Sequence, residues 1–258
     1  MTSLDWYNSN GPCLVLCSAE GCVQILLGRE GQILQFRQIQ AKSSSMRLLP
    51  PAVQGSMHEA GLTAQDLGRI VCVRGPGTFT GVRVSLAFGL GLARGTHVPL
   101  FGLDYLPLLA AGVLSLLSGS LWVLVYARRD LVYVQGFKAP GGEEITLAEC
   151  LQRSLAAERI NQEQGQAYVL GSALRHDREF WQQSLSQAVI LDSLWDNPGP
   201  EILLRQAMQS QAPAEPLYLR PSDAEANLAR IAEQRGLSLE EARLLLEGSG
   251  SGEGSSYR

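Results

Sequence analysis

Lysine is almost absent from this chain. Among 258 residues only Lys42 and Lys138 are lysine, so nearly all of the 21 basic side chains are arginine. Against them stand 25 acidic residues, for a net charge of −4. That balance excludes a lysine patch for phosphates or anionic lipid. It also lacks the basic surplus of a stand-alone nucleic-acid binder. Histidine is equally scarce: His58, His97 and His176 form no H-x-x-x-H or H-E-x-x-H pair, which argues against a helical metal site. The five cysteines are odd in number, and no basic-then-apolar leader opens the chain, so a reducing cytoplasm is expected. If residues 13–17 form a strand, Cys13 and Cys17 lie about 13 Å apart, too far for one zinc ion or one disulfide. They read, with Cys22, as buried small hydrophobes. Charged residues are only 18% of the chain and apolar ones 45%, enough for a sizeable core in one large or two small domains.

One long stretch carries no charge, from Tyr105 to Ala127. Pro107 near its start and Ser118-Gly119-Ser120 within it divide it into a helix, Tyr105 to Leu117, and a strand, Leu121 to Ala127. A helix of that length rises only about 20 Å, short of a bilayer core, so no membrane span is expected.

The N-terminal third alternates in the manner of strands. Leu14 to Leu16, Val23 to Leu27 and Ile33 to Ile39 are separated by Glu20-Gly21 and Gly31, a three-stranded antiparallel meander. A helix follows with Leu48, Leu49, Val53, Met57 and Ala60 on one face and Pro50-Pro51 in its first turn. Thr63 opens a further short helix. Arg69 to Val73 and Val98 to Gly102 read as strands around the helix that ends at Arg94. The second half repeats this order loosely. Leu121 to Tyr126 and Leu131 to Phe137 make a hairpin, and Thr146-Leu147-Ala148-Glu149 is a capping box expected to open a helix. Ala167 to Leu170 and Ala188 to Leu191 are strands that alternate with helices around Glu179 and at Glu201 to Gln209. A β-β-β-α-β-α-β unit used twice describes a two-lobed actin-like (ASKHA, ribonuclease H-like) α/β fold with mixed sheets flanked by helices. The expected lobes are 1–105 and 106–209. Two C-terminal helices within 210–247, starting at Ser222 and Ser238, are expected on the first lobe, and the glycine-serine stretch 248–258 is expected to be disordered.

The most informative segment runs from Arg74 to Arg94. Gly75-Pro76-Gly77 is a turn after a strand, and Thr78 or Thr80 is placed to cap the helix that follows. Free N–H groups at that helix start suit an anion, but no Walker lysine follows, which favours a plain, well-capped strand-to-helix turn over nucleotide binding. Within the helix, Gly81, Ser85, Gly89 and Ala93 form a small-residue stripe. No charge separates Arg83 from Arg94, so the helix must be covered on both sides. An interface is expected on Leu49, Val53, Met57, Ser85, Phe88, Gly89 and Leu92.

Gly75-Pro76-Gly77-Thr78-Phe79-Thr80-Gly81-Val82-Arg83, the helix behind it and Pro99-Leu100-Phe101-Gly102 resemble the signature of the TsaB (YeaZ) family of tRNA threonylcarbamoyladenosine biosynthesis subunits. Glu215-Pro216-Leu217-Tyr218-Leu219-Arg220 is similar to that family's late E-P-x-Y-L-R, and the likeness spans residues 12 to 220. The resemblance implies an actin-like, non-catalytic scaffold and activator that dimerises with TsaD through first-lobe helices and works with the ATPase TsaE. It also implies a homodimer when alone, tRNA contact only through the complex, no cofactor of its own, and ATP and metal on the partner subunits. The family's first strand ends Asp-Thr-Ala/Ser-Thr, whereas here it reads Leu16-Cys17-Ser18-Ala19, without the carboxylate an actin-like ATPase needs for metal-bound phosphates. Ser44 stands where the family has histidine, and D-A-R-x-x-E-V-Y has become Tyr126-Ala127-Arg128-Arg129-Asp130-Leu131-Val132-Tyr133. The competing reading is an actin-like enzyme, a metallopeptidase-like glycoprotease or a small-molecule kinase. Gly141-Gly142 and Gly171-Ser172 are weak candidates for its second phosphate loop.

Overall fold

A computed structural model describes residues 11–40, 45–220, 232 and 238, with 45 and 46 described by backbone alone. The helix starts expected at Ser222 and Ser238 and the tail 248–258 lie outside the described residues, apart from Ser238 itself. The chain divides into two units, Met1–Leu219 and Arg220–Arg258. In the second, Ala232 is helical and buried.

The first unit holds two five-stranded sheets of the same design. In the first, β1 (Cys13–Cys17), β2 (Cys22–Arg29) and β3 (Gln32–Gln40) form the expected meander, and β4 (Arg69–Gly75) and β5 (Leu100–Asp104) add in parallel, in the order β3-β2-β1-β4-β5. In the second, β6 (Gly119–Arg128), β7 (Leu131–Ala139) and β8 (Glu149–Gln152) are antiparallel. There β9 (Ala167–Leu170) and β10 (Val189–Ile190) extend the other side in parallel, giving β8-β7-β6-β9-β10. The two orders superpose strand for strand, which makes the molecule a duplicated, two-lobed actin-like α/β fold.

Period-two alternation explains how β1 lies at the centre. All five of its residues are buried; Leu14 and Leu16 face one layer, and Cys13, Val15 and Cys17 the other. On the first face lie α1 (Ser45–Glu59) and α2 (Phe79–Thr96). On the second face a core shared by both sheets is filled by α3 (Tyr105–Ala110). The outer face of the second sheet is closed by α4 (Arg153–Asn161), α5 (Ala173–His176) and α6 (Arg178–Ser184) around Trp122 and Trp181. The last helix of the unit, α7 (Pro200–Gln209), packs Leu203, Leu204 and Ala207 against the first sheet, so close that a Cβ on Gly28 would sit 2.5 Å from Leu204. It belongs to the first lobe, not to the expected lobe 106–209.

Three expected elements differ. The helix from Tyr105 stops at Ala110, because the backbone tightens to i−3 hydrogen bonds at Gly112, Val113 and Leu116. Among the described residues no helix is long and apolar enough to cross a membrane. The Thr146 capping box does not form. The Thr146 hydroxyl accepts the Gly136 N–H at 3.1 Å, Glu149 pairs with Arg159, and residues 149–152 become edge strand β8, so the helix starts only at Arg153. Pairing across the sheet outweighs a local signal here. Finally, α1 begins at Ser45, which places Pro50 and Pro51 beyond its first turn.

Candidate functional site

The loop after β4 is built on the β1–β2 turn. The Thr78 N–H donates to the Ala19 carbonyl at 2.6 Å. A Cβ on Gly77 would overlap the Ala19 carbonyl and lie 2.8 Å from its carbon, and one on Gly81 would collide with the Ser18 carbonyl. Only glycine lets these backbones meet. Thr78 occupies the N-cap position with extended backbone but makes no side-chain cap bond, and Thr80 lies inside the helix, so neither caps it as expected. The anion position read from the sequence is thus packed against carbonyls of the first turn.

The same turn is also tied to the second lobe. Glu20 accepts hydrogen bonds from the Ser172 hydroxyl and, at 3.0 Å, from the Tyr105 hydroxyl. Asp196 lies alongside, paired with Arg175 at 2.9 Å and accepting the Gly171 N–H at 3.0 Å. Burial pushes the Glu20 carboxyl up to about 7; the two hydroxyl donors pull the other way, and Asp196 adds to the rise. Because the folded chain holds this proton more tightly than the unfolded chain, the contribution of Glu20 to stability is complete below the ordinary carboxylate range. It is lost as pH rises through about 7. Glu20→Gln is therefore expected to stabilise the chain relative to the parent at pH 8 and to lose that advantage by pH 5; urea melts at the two pH values check it.

The small-residue stripe of α2 faces inward. Ser85 is fully buried, Gly81, Gly89 and Ala93 are buried, and a Cβ on Gly89 would lie 2.5 Å from the Cys72 sulfur. On α1, Leu49, Val53 and Met57 are likewise sealed in this lobe's core. Five of the seven expected interface residues are thus covered by the chain itself, and only Phe88 and Leu92 stay half-buried. The reason is the sheet: small residues admit the helix close to β4, so they turn toward it. The side left open is the opposite ridge, Ala87, Leu90, Gly91 and Gly95, with Leu90 43% exposed and, among the described residues, nothing within 4 Å of a Cβ on Gly91. The two glycines therefore make opposite demands. Gly91→Ala is expected to raise stability by roughly 0.5–1 kcal/mol, the helix-propensity gain, while Gly89→Ala lowers it. Paired thermal melts would read the difference.

The two signature segments meet on the surface beside this ridge. Residues 210–217 run along the first sheet: Gly102 N–H donates to Ala212 at 2.9 Å, and Leu217 N–H to the Arg74 carbonyl at 2.8 Å. Arg74 itself is held by Asp104 at 2.6 Å. Tyr218 thereby stacks on Phe79 with ring centroids 5.4 Å apart, and Arg83 lies 3.6 Å over the Phe79 ring while donating to the Tyr218 hydroxyl at 2.6 Å. Tyr218 is 47% exposed. An exposed arginine-aromatic cluster beside an apolar ridge has the composition of a protein-binding hot spot. Of the motif-loop residues, Phe79 and Arg83 reach this cluster, Gly77, Thr78 and Gly81 build the turn contact, and Gly75, at φ +112, links the two. Glu20, Leu90, Gly91 and Tyr218 were not singled out from the sequence as site residues. Tyr218 had a signal there in its place in the late motif, and Gly91, with Gly89, in its cost to an apolar helix, which points to close helix approach.

Among the described residues no three histidine, cysteine or acidic side chains are grouped to hold a metal, and Cys13, Cys17, Cys22, Cys72 and Cys150 are free.

Comparison with known proteins adds the following. Residues 39–171, just over half of the chain, match the family model described as TsaD: tRNA N6-adenosine threonylcarbamoyltransferase. The tRNA threonylcarbamoyladenosine biosynthesis protein TsaB of Escherichia coli (strain K12) is 27% identical over 222 residues, which cover 80% of this chain and 94% of that protein. The protein of the same name from Bacillus subtilis (strain 168) is 26% identical, over 78% and 90%. In the solved structure of YeaZ from Pseudomonas aeruginosa the likeness covers 81% of this chain and all of that one, at 23% identity and a TM-score of 0.63, and bears on the fold alone.

Proposed function

That this chain belongs to the TsaB (YeaZ) family, carrying the domain whose model is described as TsaD, is the premise from which we propose its role: a non-catalytic scaffold and activator in tRNA threonylcarbamoyladenosine biosynthesis. In this reading the chain docks a TsaD subunit on the open ridge of α2 and the cluster of Phe79, Arg83 and Tyr218. TsaE joins that pair, tRNA is met only by the assembly, and a second copy occupies the same ridge when the chain is alone. ATP and metal belong to the partners.

The observation that carries this reading is the meeting of the two signature segments, Gly75–Arg83 and Glu215–Arg220, in one exposed arginine-aromatic cluster. Side chains with no role in packing the core are held there by a hydrogen bond spanning 135 residues of sequence, beside a ridge where, among the described residues, a Cβ on Gly91 meets nothing within 4 Å. The first turn also supports a scaffold over a kinase. Where an actin-like enzyme would seat phosphates, the Ser18 and Ala19 carbonyls abut Gly77 and Gly81, and Glu20 bridges to Ser172.

Reconstitution tests the role. TsaD is expected to co-purify with this chain, and tRNA modification by the purified partners is expected to require it. Modification that proceeds equally well without the chain, or zinc or ATP binding by the chain alone with turnover of a small substrate, would return the enzyme reading.

A further inference from the structure

The second lobe contains a cavity that the docking role does not use. It opens where the β6–β7 turn, the start of α4 and the α5–α6 junction meet, and its volume is about 230 Å³. Its acceptors are already engaged: Asp130 and Asp177 both pair with Arg153, the first at 3.0 Å. Its donors are not. Among the described residues the Arg129 guanidinium, the Tyr126 hydroxyl and the His176 ring nitrogens make no hydrogen bond or ion pair. Tyr126 and His176 are instead stacked face to face, with centroids 3.6 Å apart.

A wall whose carboxylates are paired and which keeps three open donors selects an anion. Arginine, phenol and imidazole suit a phosphate monoester, which offers three strong acceptor oxygens and close to two negative charges near neutrality. The volume, several times the roughly 30 Å³ one water takes in the liquid, leaves room for more than a phosphate group alone. The aromatic wall suits a planar organic body on the phosphate. We propose that this cavity binds a small organic phosphate of the class of a nucleoside 5′-monophosphate, with Arg129, Tyr126 and His176 as its donors. This goes beyond the scaffold role and does not rest on it.

Calorimetric titration of the full-length chain with adenosine 5′-monophosphate, adenosine and inorganic phosphate tests it. The monophosphate is expected to bind saturably and at least about tenfold more tightly than either half, more weakly as salt screens the charge. Arg129→Ala, at an exposed turn, and Tyr126→Phe, which keeps the ring that packs on the second-lobe core, are expected to weaken it about tenfold while Arg94→Ala, on α2, leaves it unchanged. Absence of saturable binding into the millimolar range would overturn the proposal. So would affinity unchanged in both variants, or inorganic phosphate binding as tightly as the nucleotide. A short single-stranded RNA that displaces the monophosphate and binds more tightly would move the phosphate into a nucleic-acid strand and overturn the small-molecule assignment.

Discussion

Replacing Gly77 by alanine is expected to lower the midpoint of thermal unfolding by about 6–12 °C, the equivalent of about 3 kcal/mol in a chain of this size. The loop meets the β1–β2 turn backbone to backbone. The added methyl would lie 2.8 Å from the Ala19 carbonyl carbon and 2.9 Å from its Cα, atoms with no rotamer to move. Relief requires withdrawing the loop, which breaks the Thr78 N–H to Ala19 bond and lifts the start of α2 from β1. Differential scanning calorimetry of the two proteins measures the effect. An unchanged midpoint would mean that the turn and the loop are not in contact.

The second large effect is on association and not on folding. Gly91→Arg is expected to weaken the complex with TsaD by about a hundredfold, roughly 2.7 kcal/mol, while leaving the isolated chain folded. Gly91 is exposed, a Cβ there meets nothing within 4 Å among the described residues, and arginine is a good helix former. The new side chain projects from the ridge into whatever lies over Leu90. The same substitution at Gly89 is a poor test of docking, because it drives the side chain into Cys72 and unfolds the lobe before any partner is met.

That contrast shows what could be read from the sequence. The unbroken apolar character of α2 was visible, and so was the conclusion that it needs cover on two sides. Which side is open was not: Gly89 and Gly91 are the same residue two positions apart, and only the clearance to β4 distinguishes them. The duplicated strand order was legible because alternation in β1–β3 and the β6–β7 hairpin is local. The capping box at Thr146 was misleading because its two side chains are taken by Gly136 and Arg159, across the sheet and further along the chain. Glu20 carried no signal, since the partner that gives it meaning, Ser172, lies 152 residues away. Tyr218 and Arg83 could each be picked out in a motif, but their meeting is a property of the folded chain.

The docking of a partner on the outward ridge of α2 is tested most directly by light scattering after size exclusion, on equimolar mixtures of TsaD with the parent chain and with Gly91→Arg. The parent is expected to elute with the mass of a one-to-one complex, and the variant as two separate proteins with its own thermal midpoint preserved. A variant that forms the same complex with undiminished affinity would contradict docking at this ridge.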